Sequence, residues 1–348
     1  MNGGTALAEF SLQDGAVREL WKGSERLRGY GNFPDFALTP DGASSIAVRS
    51  DFTTPPEVWT GTPGSWRRLT SGNSAQTPRW GKGESLEWQS DGMKVQGWML
   101  PPAQIESGKR YPMVVLIHGG PTGMEAPRWP NGGSLPAALA SRGYFVLMPN
   151  PRGSYGQGEE FTQANIKDFG GGDLRDILKG VDSALARYPI DPNRLGVTGW
   201  SYGGYMTMWT VTQTNRFRAA MAGAGIANLQ SYYGQNLIDR WLIPFFGASV
   251  YDDPAVYAKS SPITFIKGVR TPVLVLVGER DAECPAPQSF EFWHALRTLN
   301  VPTELVVYAG EGHLFMDPKN REDMQERTIA WFEKYLGPAG ETVPPTRP

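Results

Sequence analysis

The sequence predicts an α/β protein: a mostly parallel central sheet with helices on both faces, preceded by a small antiparallel β region. Three observations carry that expectation. From about residue 86 onward, short uninterrupted apolar runs alternate with helical patterns, as strands buried on both faces require. Before that point the chain reads as short alternating strands punctuated by Asp-Gly and Gly-Ser turns, the pattern of hairpins. A chain of 348 residues, 40% apolar and with twelve tryptophans, can build one large core and a smaller one.

The elements follow in order. "AEFSL" runs into "QDG", "VRELW" into "KGS" and "FALTP" into "DGASSIAVRS"; "PPEVWTG" and "SWRRLTSG" complete the β-rich part. An antiparallel pair, "SLEWQS" and "KVQGWML", turns at Asp91-Gly92. Candidate parallel strands then lie at 113–117, 144–148, 195–198, 219–223, 273–277 and 304–308. Between them, "LPAALASR" has Ser134 as a candidate cap, and "DLRDILKGVDSALARY" stops before Pro189. "YMTMWTVTQ", "PQSFEFWHALRTL" and "NREDMQERTIAWFEKYL" are the remaining helical patterns. The expected division is a β-rich region at 1–85 and an α/β domain at 86–340.

Composition excludes several classes. A formal net charge of −2 gives no general affinity for nucleic acid or anionic membrane. The single cysteine, Cys284, excludes an intrachain disulfide framework. The longest apolar runs are strand-length, and "MNGGTALAEF" has neither a basic nor an apolar leader region, so the expectation is a cytoplasmic protein. There is no H-E-x-x-H and no paired-cysteine motif, and the glycine-rich "GSYGQGEEF" and "FGGGDL" lack phosphate-loop spacing. No metal and no cofactor are expected.

The chemistry centres on Gly199-Trp200-Ser201-Tyr202-Gly203, a G-x-S-x-G at a strand-to-helix junction. That placement is the nucleophile elbow of α/β-hydrolases, where a strained turn projects the serine hydroxyl from the sheet. A serine needs a base, and the chain has three histidines. His294 lies on a helix and His118 opens "HGGP" directly after a strand. His313, in the late glycine-bounded loop "GEGHLF", occupies the place that the order Ser…Asp/Glu…His gives the base. "PVLVLVGERD" offers Glu279 and Asp281 as the orienting acid. Asp281 is favoured because it sits further out, with Glu279 expected to pair with an arginine. The amide of Tyr202 and the loop "IHGGP" are placed to hold an oxyanion, with His118 structural. Cys284 is expected to be a buried loop thiol.

Taken together, "IHGGP", "NPRGSYGQGEEF", "GGGDLRDILKGVD", "DPNRLGVTGWSYGGYM", "YAKSSPI", "TPVLVLVGERDAECP" and "ELVVYAGEGH" resemble, in order, the prolyl oligopeptidase family of serine peptidases. The likeness is greatest to its acylaminoacyl-peptidase and dipeptidyl-peptidase branches. It spans roughly residues 85–337 and implies the α/β-hydrolase fold. It assigns Ser201, Asp281 and His313 as the triad and the amides of Gly120 and Tyr202 as oxyanion donors. It also implies that Ile226, Leu229 and Tyr232, in "GIANLQSYYGQN", line the substrate pocket. "PDGASSIAVRSDFTTPPEVW" resembles the last blade of the family's β-propeller. Fewer than 90 residues cannot close a propeller, so about two blades at most are expected.

The implied substrate is a short peptide or a small ester, cleaved through an acyl-enzyme. A carboxylesterase remains open because the missing propeller leaves the site accessible, and a non-catalytic relative serving as a binding module is the third reading. Residues 1–85 are expected to pack on the hydrolase domain or to pair with a second copy, because open strand edges invite association.

Overall fold

Uninterrupted apolar runs build the centre of the large sheet. The computed structural model describes residues 4–27, 35–130 and 134–337. Fourteen strands occur among them: β1 (Thr5–Phe10), β2 (Val17–Gly23), β3 (Phe36–Leu38), β4 (Ser45–Arg49), β5 (Glu57–Thr62), β6 (Ser65–Arg68), β7 (Glu84–Ser90), β8 (Met93–Leu100), β9 (Tyr111–Ile117), β10 (Phe145–Asn150), β11 (Ile190–Trp200), β12 (Ala219–Gly223), β13 (Val273–Gly278) and β14 (Thr303–Tyr308). The α-helices are α1 (Leu135–Ala140), α2 (Glu159–Gln163), α3 (Gly172–Arg187), α4 (Tyr202–Gln213), α5 (Leu229–Tyr233), α6 (Leu242–Phe246), α7 (Pro254–Ala258), α8 (Ala286–Thr298) and α9 (Pro318–Leu336).

Eight strands form one sheet in the order β14-β13-β12-β11-β9-β10-β8-β7. Strands β9 to β14 run parallel, and β8 pairs antiparallel with both β10 and β7. Successive residues point to opposite faces, and both faces are buried. Met113, Val115 and Ile117 of β9 join one core with α3, α4 and α8, while Val114 faces the other core with α1 and α9. In β13, Val273 and Val275 take the first side and Leu274 and Leu276 the second. Helix α4 has no polar face to present: every residue from Tyr202 to Val211 is buried, so it lies at the centre of its layer.

After β9 the chain passes to β10 on one side and then to β11 on the other. The carboxyl ends of β9 and β11 therefore flank a switch point, where α/β sheets open a crevice.

The β-rich part contains a two-stranded hairpin, β1-β2, and a four-stranded antiparallel meander, β3-β4-β5-β6. Arg49 joins them: its guanidinium lies over Trp59 at 4.4 Å, Trp66 at 5.0 Å and Trp21 at 5.7 Å, and it pairs with Glu25. This region meets the large domain through Phe52, 5.7 Å from Trp98, and through Trp80, which donates to the Phe52 carbonyl at 2.7 Å. Phe10, Leu12, Val17 and Leu38 stay exposed.

One local expectation needs correction. Ser134 occupies the N-cap of α1, but its side chain makes no capping bond; a proline in the first turn starts the helix. Strand β7, at the expected change of pattern near residue 85, begins at Glu84 and belongs to the large sheet. The other expected limit, residue 340, lies outside the described residues.

Candidate active site

The elbow explains its own glycines. Ser201 has φ 62° and ψ −122°, a backbone state that an L residue adopts only at a cost of about 1–3 kcal/mol. Its amide is tied to the Gly223 carbonyl at 3.0 Å, which holds the turn against β12. A Cβ at Gly203 would stand 2.1 Å from the Ile117 carbonyl oxygen, and one at Gly199 would stand 2.5 Å from the backbone of Gly203. Strand, turn and helix approach too closely for any side chain at either place.

The aromatic residues on either side have separate tasks. Trp200 donates from Nε1 to the carbonyl of His313 at 3.0 Å and meets Phe315 edge-on at 5.2 Å. Tyr202 donates its phenol to Asp173 Oδ2 at 2.7 Å, both side chains being buried. Burial, the largest influence, lifts the Asp173 carboxyl from its ordinary value to about 6.

Two later loops deliver the imidazole and its carboxylate. His313 Nδ1 lies 2.8 Å from Asp281 Oδ2. The other Asp281 oxygen accepts from the amides of Glu283 at 2.9 Å and Cys284 at 2.8 Å, so the acid is locked by its own loop. With Nδ1–H bonded to Asp281, Nε2 is left free to take a proton. Burial alone would lower the pKa of His313, but the hydrogen bond and charge of Asp281, joined by the charge of Glu283, raise it. The ring's loop is braced by Glu311, whose carboxylate accepts from the amides of Met316 and Asp317 and from Asn320.

Among the described residues, no hydrogen bond joins the Ser201 hydroxyl to the His313 ring; Ser201 Oγ lies 4.0 Å from Cys284 Sγ. Cys284 is buried, which pushes its thiol well above the usual range. The loop after β9 folds over the serine: a Cβ at Gly119 would lie 3.5 Å from Ser201 Cβ. At Gly120, with φ 140°, a Cβ would strike the amides of Thr122 and Gly123 at 2.5 Å. The amide of Tyr202 is the first of α4 and has no acceptor within its own helix.

A cavity of about 260 Å³ opens beside Ser201. Gly120, Tyr202, Ile226 and Tyr232 line it, together with Ile238, Trp241, Phe245, Glu283 and Cys284. Leu229 does not line it and is buried in the core: the single turn of α5 directs Leu229 inward and Tyr232 toward the cavity. Trp241 and Phe245 escaped the sequence reading because they come from a later segment, brought in by long-range packing on Phe169. Glu279 also departs from expectation, since its carboxylate accepts from the Gly310 amide at 2.7 Å rather than from an arginine. His118 is buried between the Gly119 carbonyl and the Ser154 hydroxyl, and burial lowers its pKa. His294 is exposed on α8 beside Trp293.

Comparison with known proteins gives the same direction. The profile of the prolyl oligopeptidase family matches residues 133–339. The uncharacterized peptidase YuxL of Bacillus subtilis is 39% identical over 251 residues, covering 71% of this chain and 38% of that protein. Dipeptidyl-peptidase 5 of Porphyromonas gingivalis is 28% identical over 349 residues, covering 95% of this chain and 49% of that one. An acylaminoacyl peptidase solved with Z-Gly-Gly-Phe-chloromethyl ketone superimposes with a TM-score of 0.84 at 28% identity, covering 99% of this chain and 56% of the other. The chain thus spans about half the length, or less, of the curated relatives it matches.

Proposed function

The chain belongs to the prolyl oligopeptidase family, and from that premise we propose that it is a serine peptidase that cleaves short peptides through an acyl-enzyme on Ser201. The observation that carries this reading is the His313–Asp281 pair, bonded at 2.8 Å and delivered to the sheet end from which Ser201 projects in a strained backbone.

The steps follow from the geometry. Substrate enters with its acyl side chain in the cavity, and the Ser201 hydroxyl turns from Cys284 toward His313 Nε2; hydrogen bonds of this kind tighten in the working complex. Nε2 takes the hydroxyl proton as Oγ attacks the carbonyl carbon, and Asp281 holds the ring and stabilises the imidazolium. The amides of Gly120 and Tyr202 receive the oxyanion. The imidazolium then protonates the departing amine, and water repeats the sequence to release the acid and free Ser201. Ile226, Ile238, Trp241 and Phe245 make the cavity suited to a bulky apolar acyl residue.

The division into a β-rich region at 1–85 and a hydrolase domain at 86–340 belongs to the same proposal, as does pairing of the exposed β-rich face with a second copy. No helix among the described residues is long and apolar enough to cross a membrane. The test is fluorophosphonate labelling with peptide mapping, beside hydrolysis of aminoacyl anilides and aryl esters by the parent and Ser201→Ala. Labelling at Ser201 with anilide turnover lost in the variant is expected. Ester turnover with no anilide cleavage would make the protein a carboxylesterase. Equal turnover by both proteins would remove Ser201 from the chemistry.

A further inference from the structure

The wall of the cavity beside Ser201 has little structure of its own. Ile226 and Tyr232 line the cavity, and the chain joining them forms only the single turn of α5, too short to persist by its own hydrogen bonds. One side chain from another element holds it. Gln288, on α8, is fully buried and takes no part in the chemistry described above.

The side-chain amide of Gln288 is saturated. Its Oε1 accepts from the backbone amides of Ala227 at 3.1 Å and Asn228 at 2.9 Å. Its Nε2 donates to Ser231 Oγ at 2.9 Å and to Gln235 Oε1 at 2.8 Å. Two lone pairs and two N–H groups are all that a primary amide has, and each finds a partner. The backbone amides can only donate, so the oxygen must be the atom that faces them. Both stand before the first turn of α5, outside its ladder, and Gln288 supplies the acceptor that the helix cannot. One turn along α8, Glu291 adds a second grip, accepting from Asn228 Nδ2 at 2.9 Å and from Ser231 Oγ at 3.3 Å. The anchor itself is firm, because Phe292 and Leu296 of α8 are buried in the core.

We propose that Gln288 is a positioning residue that sets the substrate preference of this cavity. By holding residues 227–235 to α8 it fixes where Ile226 and Tyr232 stand, and so which acyl side chain fits beside Ser201. The inference rests on the cavity receiving the acyl side chain and on Ser201 being the nucleophile. Without the tether, two buried amides must find other acceptors, and the wall moves to supply them. A gap of about 0.5–1 Å already forfeits a quarter to a half of the dispersion attraction across it. A large acyl side chain that packs on the wall loses that contact, whereas a methyl group has little of it to lose.

The test measures kcat and KM for phenylalanyl and alanyl anilides on the parent, Gln288→Leu and Gln288→Glu, with fluorophosphonate labelling in parallel. Gln288→Leu removes all four bonds; Gln288→Glu keeps the oxygen that serves Ala227 and Asn228. The ratio of kcat/KM for the two anilides is the readout. A variant that is merely less stable lowers the active fraction equally for both substrates and leaves this ratio unchanged. Both variants should label at Ser201. Gln288→Leu should narrow the preference for phenylalanyl over alanyl by about tenfold or more, with Gln288→Glu between it and the parent. If Gln288→Leu does not fold, as judged by circular dichroism, Gln288→Glu against the parent decides. The parental preference in every variant that folds would overturn the inference and leave the nucleophile and the cavity standing. A labelled parent without preference between the two anilides would overturn the reading of the cavity, and a parent that does not label would overturn the nucleophile; either removes this inference too.

Discussion

Replacing Tyr202 by Phe removes a single buried oxygen from the elbow, and the structure sets the size of the effect. The phenol donates to Asp173 Oδ2 at 2.7 Å, with neither side chain open to solvent. Burial raises the Asp173 carboxyl to about 6, against the pull of the Tyr202 bond and of the amides of Gly170 and Leu174. Above pH 6 the phenol serves a carboxylate, a bond that contributes about 1.5–3 kcal/mol; below it the partner is a neutral acid and the contribution is about 1 kcal/mol. In the variant the carboxyl lacks one donor and titrates higher. A native state with a raised carboxyl pKa loses stability as pH climbs from the unfolded value through the folded one, and the variant loses more. Tyr202→Phe should therefore cost about 1 kcal/mol at pH 5 and about 2–3 kcal/mol at pH 7.5. Urea unfolding followed by tryptophan fluorescence at both pH values measures this, with Asp173→Asn as the background in which the difference becomes independent of pH. An equal cost at both pH values, or a larger one at pH 5, would refute the coupling.

The remaining predictions concern the base, the turn and the cavity. Because the balance on His313 lifts its pKa above the ordinary 6.5, kcat/KM should fall as pH drops through a value above 6.5, where the protonated ring can no longer act as a base. Asp281→Asn should move that limb down and lower kcat by about 10⁴-fold; a parental limb below 6.5 would contradict the balance. Gly203→Ala, with its Cβ driven against the Ile117 carbonyl, should cost about 1–3 kcal/mol of stability and slow fluorophosphonate labelling, and a variant as stable as the parent would refute the steric account. Trp241→Ala should narrow the preference for phenylalanyl over alanyl anilides by about tenfold or more. Unchanged preference would mean that another surface holds the acyl side chain.

What could be read from the chain depended on how locally each feature is determined. Runs such as Met113–Ile117 and Val273–Val277 are buried on both faces, so composition alone marks them as interior strands. The elbow is legible because its steric demand falls on neighbours in sequence, at Gly199 and Gly203. His313 was reachable because only three histidines compete. The cavity was less accessible. Whether Leu229 or Tyr232 faces it depends on how one short helical turn seats on the core, and Trp241 and Phe245 arrive through packing on Phe169, 72 and more residues earlier. The Asp173–Tyr202 contact likewise joins two segments whose proximity only the folded sheet creates.

The bond from Trp200 to the His313 carbonyl ties the loop that carries His313 to the residue preceding Ser201. Chimeras that import residues 309–317 from a relative would thus have to import, or preserve, a fitting partner for that indole and for Phe315. The two stretches amount to one transplantable cassette, although 113 positions separate them along the chain.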